Sequence, residues 1–164
     1  MDGSSLSKSN RTVAIIQARM GSSRLPGKMM MDLCGQPLLH WVLSRVKKTK
    51  LADSILLATS DTIKDDPLEK LAQDLKVPVF RGSEMDLVER YYQAAKQIGA
   101  DRIVRICADN PLICSSEVDK LVDFFNQNDF DKACDIEKKI NKANKRKEII
   151  KKLRLKKFSK DSKK

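Results

Sequence analysis

Three cations stand close together in the stretch QARMGSSRLPGK, residues 17–28: Arg19, Arg24 and Lys28. They are interleaved with Gly21, Ser22, Ser23, Pro26 and Gly27, and they follow directly on the apolar run TVAII. Glycine lets a backbone come close to a ligand. Hydroxyls and amide N–H groups can then wrap an anion while guanidinium and ammonium groups neutralise it. The chemistry open to this stretch is the binding of a phosphate chain. The same residues also make an ordinary surface turn, because Gly, Ser and Pro build turns and cations favour solvent. Two well-known phosphate cradles do not fit. The GxGxxG fingerprint is absent, and in place of G-x4-G-K-[ST] the glycines enclose five residues and Met29 follows Lys28. That substitution removes the hydroxyl a magnesium ion would use.

A second cluster is RICADNPLI, where Asp109 follows an apolar run and precedes Asn110-Pro111. From the residues alone Asp109 can be a turn residue, since Asp-Asn-Pro favours turns. ATSD places Thr59, Ser60 and Asp61 at the end of another apolar run, where a polar loop capping the next helix is an equally good reading. Arg81 can be a surface residue. Arg105 interrupts an otherwise apolar strand, so it either faces a cleft or pairs with a carboxylate. His40 reads as a surface or packing residue of a helix, not a base.

The elements that must position these residues are legible. TVAIIQA (12–18), SILLATS (54–60), VPVF (77–80) and DRIVRIC (101–107) read as strands, the first buried on both faces. Pro78 argues that the third is an edge strand or carries a bulge. Between them, GQPLLHWVLSRVKK reads as a helix with Pro37 at its start and Leu38, Leu39, Val42, Leu43 and Val46 at helical spacing. DDPLEKLAQDL reads as a helix with Asp66 as N-cap, Pro67 first and Glu69 third. SEMDLVERYYQAAKQIG carries Leu87, Tyr91, Ala94 and Ile98 on one stripe and ends at Gly99. SSEVDKLVDFFNQN is a fourth helix that would bury Val118, Leu121, Val122 and Phe125. This β-α alternation predicts an α/β fold, a mostly parallel open sheet with helices on both faces. Ligands of such sheets bind at the carboxyl ends of the strands, which is where loops 17–28 and 107–114 would lie.

The chain has 164 residues and a net charge of +11. Residues 1–131 hold 18 basic and 18 acidic side chains, whereas 132–164 hold 15 and 4. All the excess charge is in the tail, so it is no reason to assign the folded part to nucleic acid. Cys34, Cys107, Cys114 and Cys134 form no CxxC pair, and there is one His, which argues against zinc and for reduced thiols in the cytoplasm. The polar start has no apolar core of a signal peptide, and no apolar run reaches membrane-spanning length. The expected organisation is a disordered leader (1–11), a nucleotide-binding α/β domain (12–131) and a basic, partly helical tail (132–164).

Several motifs in order carry a family resemblance. IIQARMGSSRLPGK, GQPLLHWVLSRV, ILLATSD, DDPLEKLA, VPVFRGSEMDLVERYYQAA and DRIVRICADNPLI together resemble the CMP-sugar nucleotidyltransferases, on the branch of spore-coat polysaccharide, sialic-acid and Kdo cytidylyltransferases. The likeness covers roughly residues 12 to 130. It implies a nucleotide-diphospho-sugar transferase (Rossmann-like) fold. It also implies magnesium-dependent attack of a sugar-acid hydroxyl on the α-phosphate of CTP, with loss of pyrophosphate. Carried onto this sequence, it gives Arg19, Arg24 and Lys28 catalytic roles on the phosphates. Ala18, Gly21, Ser22 and Ser23 become nucleotide-binding, with Thr59, Asp61, Arg81 and Arg105 around the nucleotide, and Asp109 becomes the ligand of Mg2+. A carboxylate suits such a hard cation. Many relatives have Gly where Ala108 stands. The relatives' later half, with sugar-binding residues and often a dimer arm, is not recognisable here, although a homodimer remains among the partners implied. Two rivals stay open: a glycosyltransferase on the same scaffold, and an inactive nucleotide-binding fragment that works through its tail. That tail reads as a solvated extension, as an amphipathic helix for anionic lipid or an acidic partner, or as a salt-sensitive, nonspecific nucleic-acid contact. Phe158 is its one aromatic residue, so base stacking has little support.

Overall fold

The computed structural model of the chain describes residues 10–127. The expectations for residues 1–9 and for the tail lie outside the described residues. The chain divides after Val122, and the core and loops below belong to the first unit.

Four strands form one parallel sheet in the order β5-β4-β1-β6: β1 (Thr12–Gln17), β4 (Ser54–Ser60), β5 (Val79–Gly82) and β6 (Arg102–Cys107). β1 pairs with β4 from Val13↔Ser54 to Gln17↔Ala58 and with β6 from Thr12↔Arg102 to Gln17↔Cys107. The apolar run therefore sits in the centre, as its β-branched, unbroken character requires. β5 lies at the edge. It begins after Pro78, which has no N–H to give a ladder but whose carbonyl still accepts from Leu57 N–H (2.9 Å). The strand so occupies residues 79–82, two further on than the sequence predicts.

β1 alternates its side chains between two cores. Ala14 and Ile16 pack with Leu57 and Ile106 against α1 (Leu38–Val46), α2 (Asp66–Asp74) and α4 (Ser115–Gln127), through Leu39, Val42, Leu43, Val46, Leu68, Ala72 and Val118. Val13 and Ile15 pack with Leu56 and Ala58 against α3 (Leu87–Ile98), through Tyr91, Ala94 and Ala95. Helices thus cover both faces, as expected. Gly99 closes α3 in the left-handed conformation (φ 66°). In α4, Val118 and Val122 are buried, while Leu121 and Phe125 are half-exposed.

Two features depart from the sequence reading. A two-stranded antiparallel ribbon, β2 (Asp32–Leu33) with β3 (Gln36–Pro37), precedes α1; its turn has positive φ at Cys34 and Gly35. Arg11, expected in the leader, is bound into the fold: its N–H donates to Asp101 (2.9 Å), and its carbonyl accepts from Asp101 and Arg102 N–H.

The connections matter for the site. From β1 the chain moves outward through β4 to β5, then returns to the other side of β1 as β6. The strand order reverses between β1 and β6, and in open parallel sheets the crevice at the carboxyl ends of such a pair is where ligands bind.

Candidate functional site

The loop that leaves β1 is built around Met20. Ala18 N–H still reaches Ala58 O (3.3 Å), continuing the sheet for one residue. Met20 O then accepts from both Ser22 N–H (2.8 Å) and Gly27 N–H (3.0 Å), so residues 20–27 close on one carbonyl. Gly27 has φ 74°, a conformation that glycine adopts without strain, and it launches a single turn of 3-10 helix over Lys28–Met30 whose Met29 is buried. Ser22 Oγ accepts from Leu25 N–H (3.3 Å), and its hydroxyl shapes the loop. Arg19, Ser23 and Arg24 remain exposed, and Lys28 is half-buried. Neither Arg19 nor Arg24 forms an ion pair with a described residue.

What holds Met20 is a buried acid from another strand end. Asp65 is 1 % exposed. Its Oδ1 accepts from Met20 N–H (2.7 Å), and its Oδ2 accepts from Thr59 Oγ1 (2.8 Å), Ser60 N–H (3.0 Å) and Ser60 Oγ. Burial alone would push this carboxyl up, but the donors from Met20, Ser60 and Thr59 together hold it below its ordinary value. It is therefore an ionised, fully served acceptor. The sequence reading of α2 shifts accordingly. Asp65, not Asp66, occupies the N-cap position, without a side-chain cap, because its carboxylate is turned inward. Asp66 begins the helix and pairs with Arg81 Nη2 (2.7 Å).

Arg81 is spent in the same way. Besides Asp66 it donates to Glu69 (2.6 Å), Ser60 O (3.1 Å) and Thr62 O (2.8 Å). Thr59 is fully buried with its hydroxyl on Asp65. Both were expected beside a ligand; in this structure their contacts fix the loop after β4. Asp61 is exposed and held through its N–H on Gly82 O (3.0 Å). Arg105 lies on the α3 face of the sheet, opposite Ile15 in register. Its guanidinium carbon is 5.9 Å from the centroid of the Tyr91 ring, and Nη2 donates to Cys107 Sγ (3.6 Å). The sequence reading gave it a cleft or a carboxylate; in this structure its guanidinium also lies by an aromatic ring. Burial pushes the Tyr91 phenol up to about 12, so the ring stays neutral under its cation.

On the other side of β1, Asn110 makes the turn after β6, its Oδ1 accepting from Leu112 N–H (3.1 Å). Asp109 precedes it and is exposed. Its Oδ2 lies 3.9 Å from Lys28 Nζ, and both side chains are partly open to solvent. The last residue of the basic loop and the acid after β6 thus meet across the place where the strand order reverses.

The sequence matches the family model described as Cytidylyltransferase over residues 13–164. The chain belongs to the cytidylyltransferase family. Solved relatives have the same architecture. A cytidylyltransferase from Leptospira borgpetersenii superimposes with a TM-score of 0.70 at 41 % identity, over 73 % of this chain and 50 % of that one. CMP:2-keto-3-deoxy-manno-octonic acid synthetase, solved in complex with CTP, does so with 0.65 at 25 %, over 72 % and 48 %. The spore coat polysaccharide biosynthesis protein SpsF of Bacillus subtilis is 36 % identical over 130 residues, 77 % of this chain and 52 % of its own length. The fold is that of the nucleotide-diphospho-sugar transferases. The chain spans about half the length of the curated relatives it matches.

Within this cytidylyltransferase sheet, most of the predicted residues fall into two groups, while Ala18 is buried just after β1 and Asp61 is exposed just after β4. Arg19, Gly21, Ser22, Ser23, Arg24, Lys28 and Asp109 stand on the loops after β1 and β6. Thr59, Arg81 and Arg105 are engaged inside the fold. Two residues went unread: Asp65, and Arg90, which is 2 % exposed in α3. Each had a signal. Asp65 is the first of two adjacent acids before a helix proline. Arg90 stands three residues after Leu87 and four before Ala94, a charge on the buried stripe. No described helix is long and apolar enough to cross a membrane.

Proposed function

We propose that this site binds CTP and transfers its cytidylyl group to the hydroxyl of a sugar acid, releasing pyrophosphate, in the synthesis of an activated sugar for surface polysaccharide. The observation that carries the reading is the approach of Lys28 and Asp109 at the sheet's reversal point. It joins a Gly/Ser loop bearing three cations to a lone carboxylate. In this transfer the acceptor oxygen forms a bond to the α-phosphorus as the bond to the pyrophosphate oxygen breaks. Charge builds on non-bridging and leaving oxygens, and catalysis is largely positioning and neutralisation. Arg19, Arg24 and Lys28 supply that neutralisation. Gly21 and the two serines let the backbone draw close.

The donor set fits a magnesium ion. Asp109 offers hard oxygen, is half-exposed, and among the described residues is engaged only by a long ion pair to Lys28. Among the described residues no three His, Cys, Asp or Glu cluster into a cage. Magnesium is held in this sparse way, by one or two carboxylates together with substrate phosphates and water. When bound it would act as a Lewis acid on the phosphates, and Asp109 would hold it. The names of the relatives support CTP and a sugar acid as substrates. A cytoplasmic location agrees with the unpaired thiols of Cys34, Cys107 and Cys114.

A thermal-shift panel of all nucleoside triphosphates, with and without magnesium, tests the reading. CTP with magnesium should raise the melting temperature most, and Asp109→Asn should remove most of the metal dependence. Pyrophosphate release with a sugar acid would mark the transferase. Free nucleotide released from a nucleotide-sugar would mark a glycosyltransferase, and stabilisation without turnover a nucleotide-binding unit. Equal response to every nucleotide would overturn the assignment.

A further inference from the structure

Arg90 is a buried charge that the proposed chemistry does not use. It lies in the first turn of α3 and is 2 % exposed. Its stem packs beside Gly82, where an added Cβ would stand 3.4 Å from Arg90 Cγ. Nη1 donates to Ser83 O (3.0 Å), but Nε is enclosed with no hydrogen-bond partner. No described carboxylate forms an ion pair with it. Burying a guanidinium without a counter-ion is costly, and proteins keep such groups where something completes them. A purely structural arginine is better exemplified by Arg81, which has two carboxylates and two carbonyls.

The neighbours of Arg90 show where its charge is felt. Burial pushes the guanidinium's pKa down. Tyr91, Asp65 and Glu84 act against that shift, and Arg19 adds to it. Asp65 holds the basic loop at Met20, and Arg19 belongs to that loop. Glu84 abuts it as well, since a Cβ on Gly21 would lie 3.3 Å from Glu84 Oε1. The guanidinium therefore sits by the meeting of loop 18–28 with loop 83–86, at the carboxyl end of the sheet.

We infer that Arg90 is a fourth cation of the phosphate site, held without a counter-ion until the phosphate chain of a nucleotide supplies one. This rests on the nucleotide reading above and adds a residue to it. It predicts that the bare phosphate chain is a sufficient ligand to reveal the effect. Arg90 is placed here as a binding residue, not a fold anchor, and the two roles separate in one measurement. A fold anchor loses ligand affinity only as the unliganded protein loses stability. A waiting cation loses affinity while the unliganded protein keeps its stability or gains some.

The experiment uses the full chain and two probes, inorganic tripolyphosphate and CTP, by calorimetric titration alongside unliganded melting. Arg90→Met should melt at or above the wild-type temperature, and its Kd for tripolyphosphate should rise about tenfold or more. Arg90→Lys, which keeps the charge but not the fork, should recover part of that loss. An unchanged Kd in Arg90→Met, or a weakened Kd that tracks a lower melting temperature, overturns the inference. Should Arg90→Met not fold, Arg90→Lys decides, and wild-type affinity in it overturns the inference. Failure of the nucleotide reading looks different. Tripolyphosphate would then bind with the Arg90 dependence intact while CTP showed no advantage over other triphosphates. Binding of neither probe to the wild-type chain would overturn both.

Discussion

The loop after β1 and the loop after β4 are both rich in charge, and they use it oppositely. After β4, Asp65 serves four donors, while Arg81 spans Asp66, Glu69 and two carbonyls. Asp65 and Arg81 each have their opposite or their hydrogen bonds inside the protein, while Asp61 and Lys64 beside them are exposed. After β1, Arg19 and Arg24 face solvent, and among the described residues Lys28 has only the 3.9 Å approach to Asp109. One loop has closed its electrostatics and become scaffold. The other has left them open, which is the state a site needs before a charged ligand arrives. Composition alone would not separate the two.

The contrast can be broken most forcefully at Asp65. Asp65→Ala should cost about 3 kcal/mol of stability in urea unfolding, because several enclosed donors lose one acceptor. CTP binding should go with it, since Met20 is released. If binding survives, the scaffold loop does not position the basic one. Lys28→Ala tests the opposite side. It should weaken CTP by about 2 kcal/mol, roughly thirtyfold, with little change in melting temperature. Arg81→Met sharpens the comparison, with a loss of about 1 kcal/mol in stability and CTP affinity near wild type. A large loss of affinity in this variant would return Arg81 to the ligand.

The smallest effect is in acid. Asp65 has a folded pKa below its ordinary 3.8, so its contribution is fully present above that value. It is lost as pH falls through the lower folded pKa. Melting temperature followed downward from about pH 5 should fall more steeply in the wild type than in Asp65→Asn. Parallel curves would mean that the carboxylate is not the group that titrates.

Periodicity carried the sheet and helices because burial writes itself into the spacing of apolar residues. The TVAII run suited a central strand, and Pro78 narrowed its strand to an edge or a bulge, of which the fold shows the edge. The ribbon over Asp32–Pro37 escaped notice because two-residue strands leave no period to read. Loop chemistry was half legible. Arg19, Arg24, Lys28 and Asp109 announce themselves by type, but type does not say which cations are already spent. Arg81 and Arg24 look alike as letters, and only the folded positions of Asp66 and Glu69 distinguish them. Arg90 was hidden for the converse reason: a helix stripe is read for its apolar members, and a charge within it goes uncounted.

The central strand has a consequence for synthesis. β1 leaves the ribosome before both of its neighbours in the sheet, which are made much later. The amide of Thr12 waits for Asp53, 41 residues on, and that of Arg11 waits for Asp101, 90 residues on. Pairings so remote in sequence are slow to close. The basic loop is thus translated well before Asp65, 45 residues on from Met20, so a nascent chain stalled short of that acid would expose the loop without its anchor.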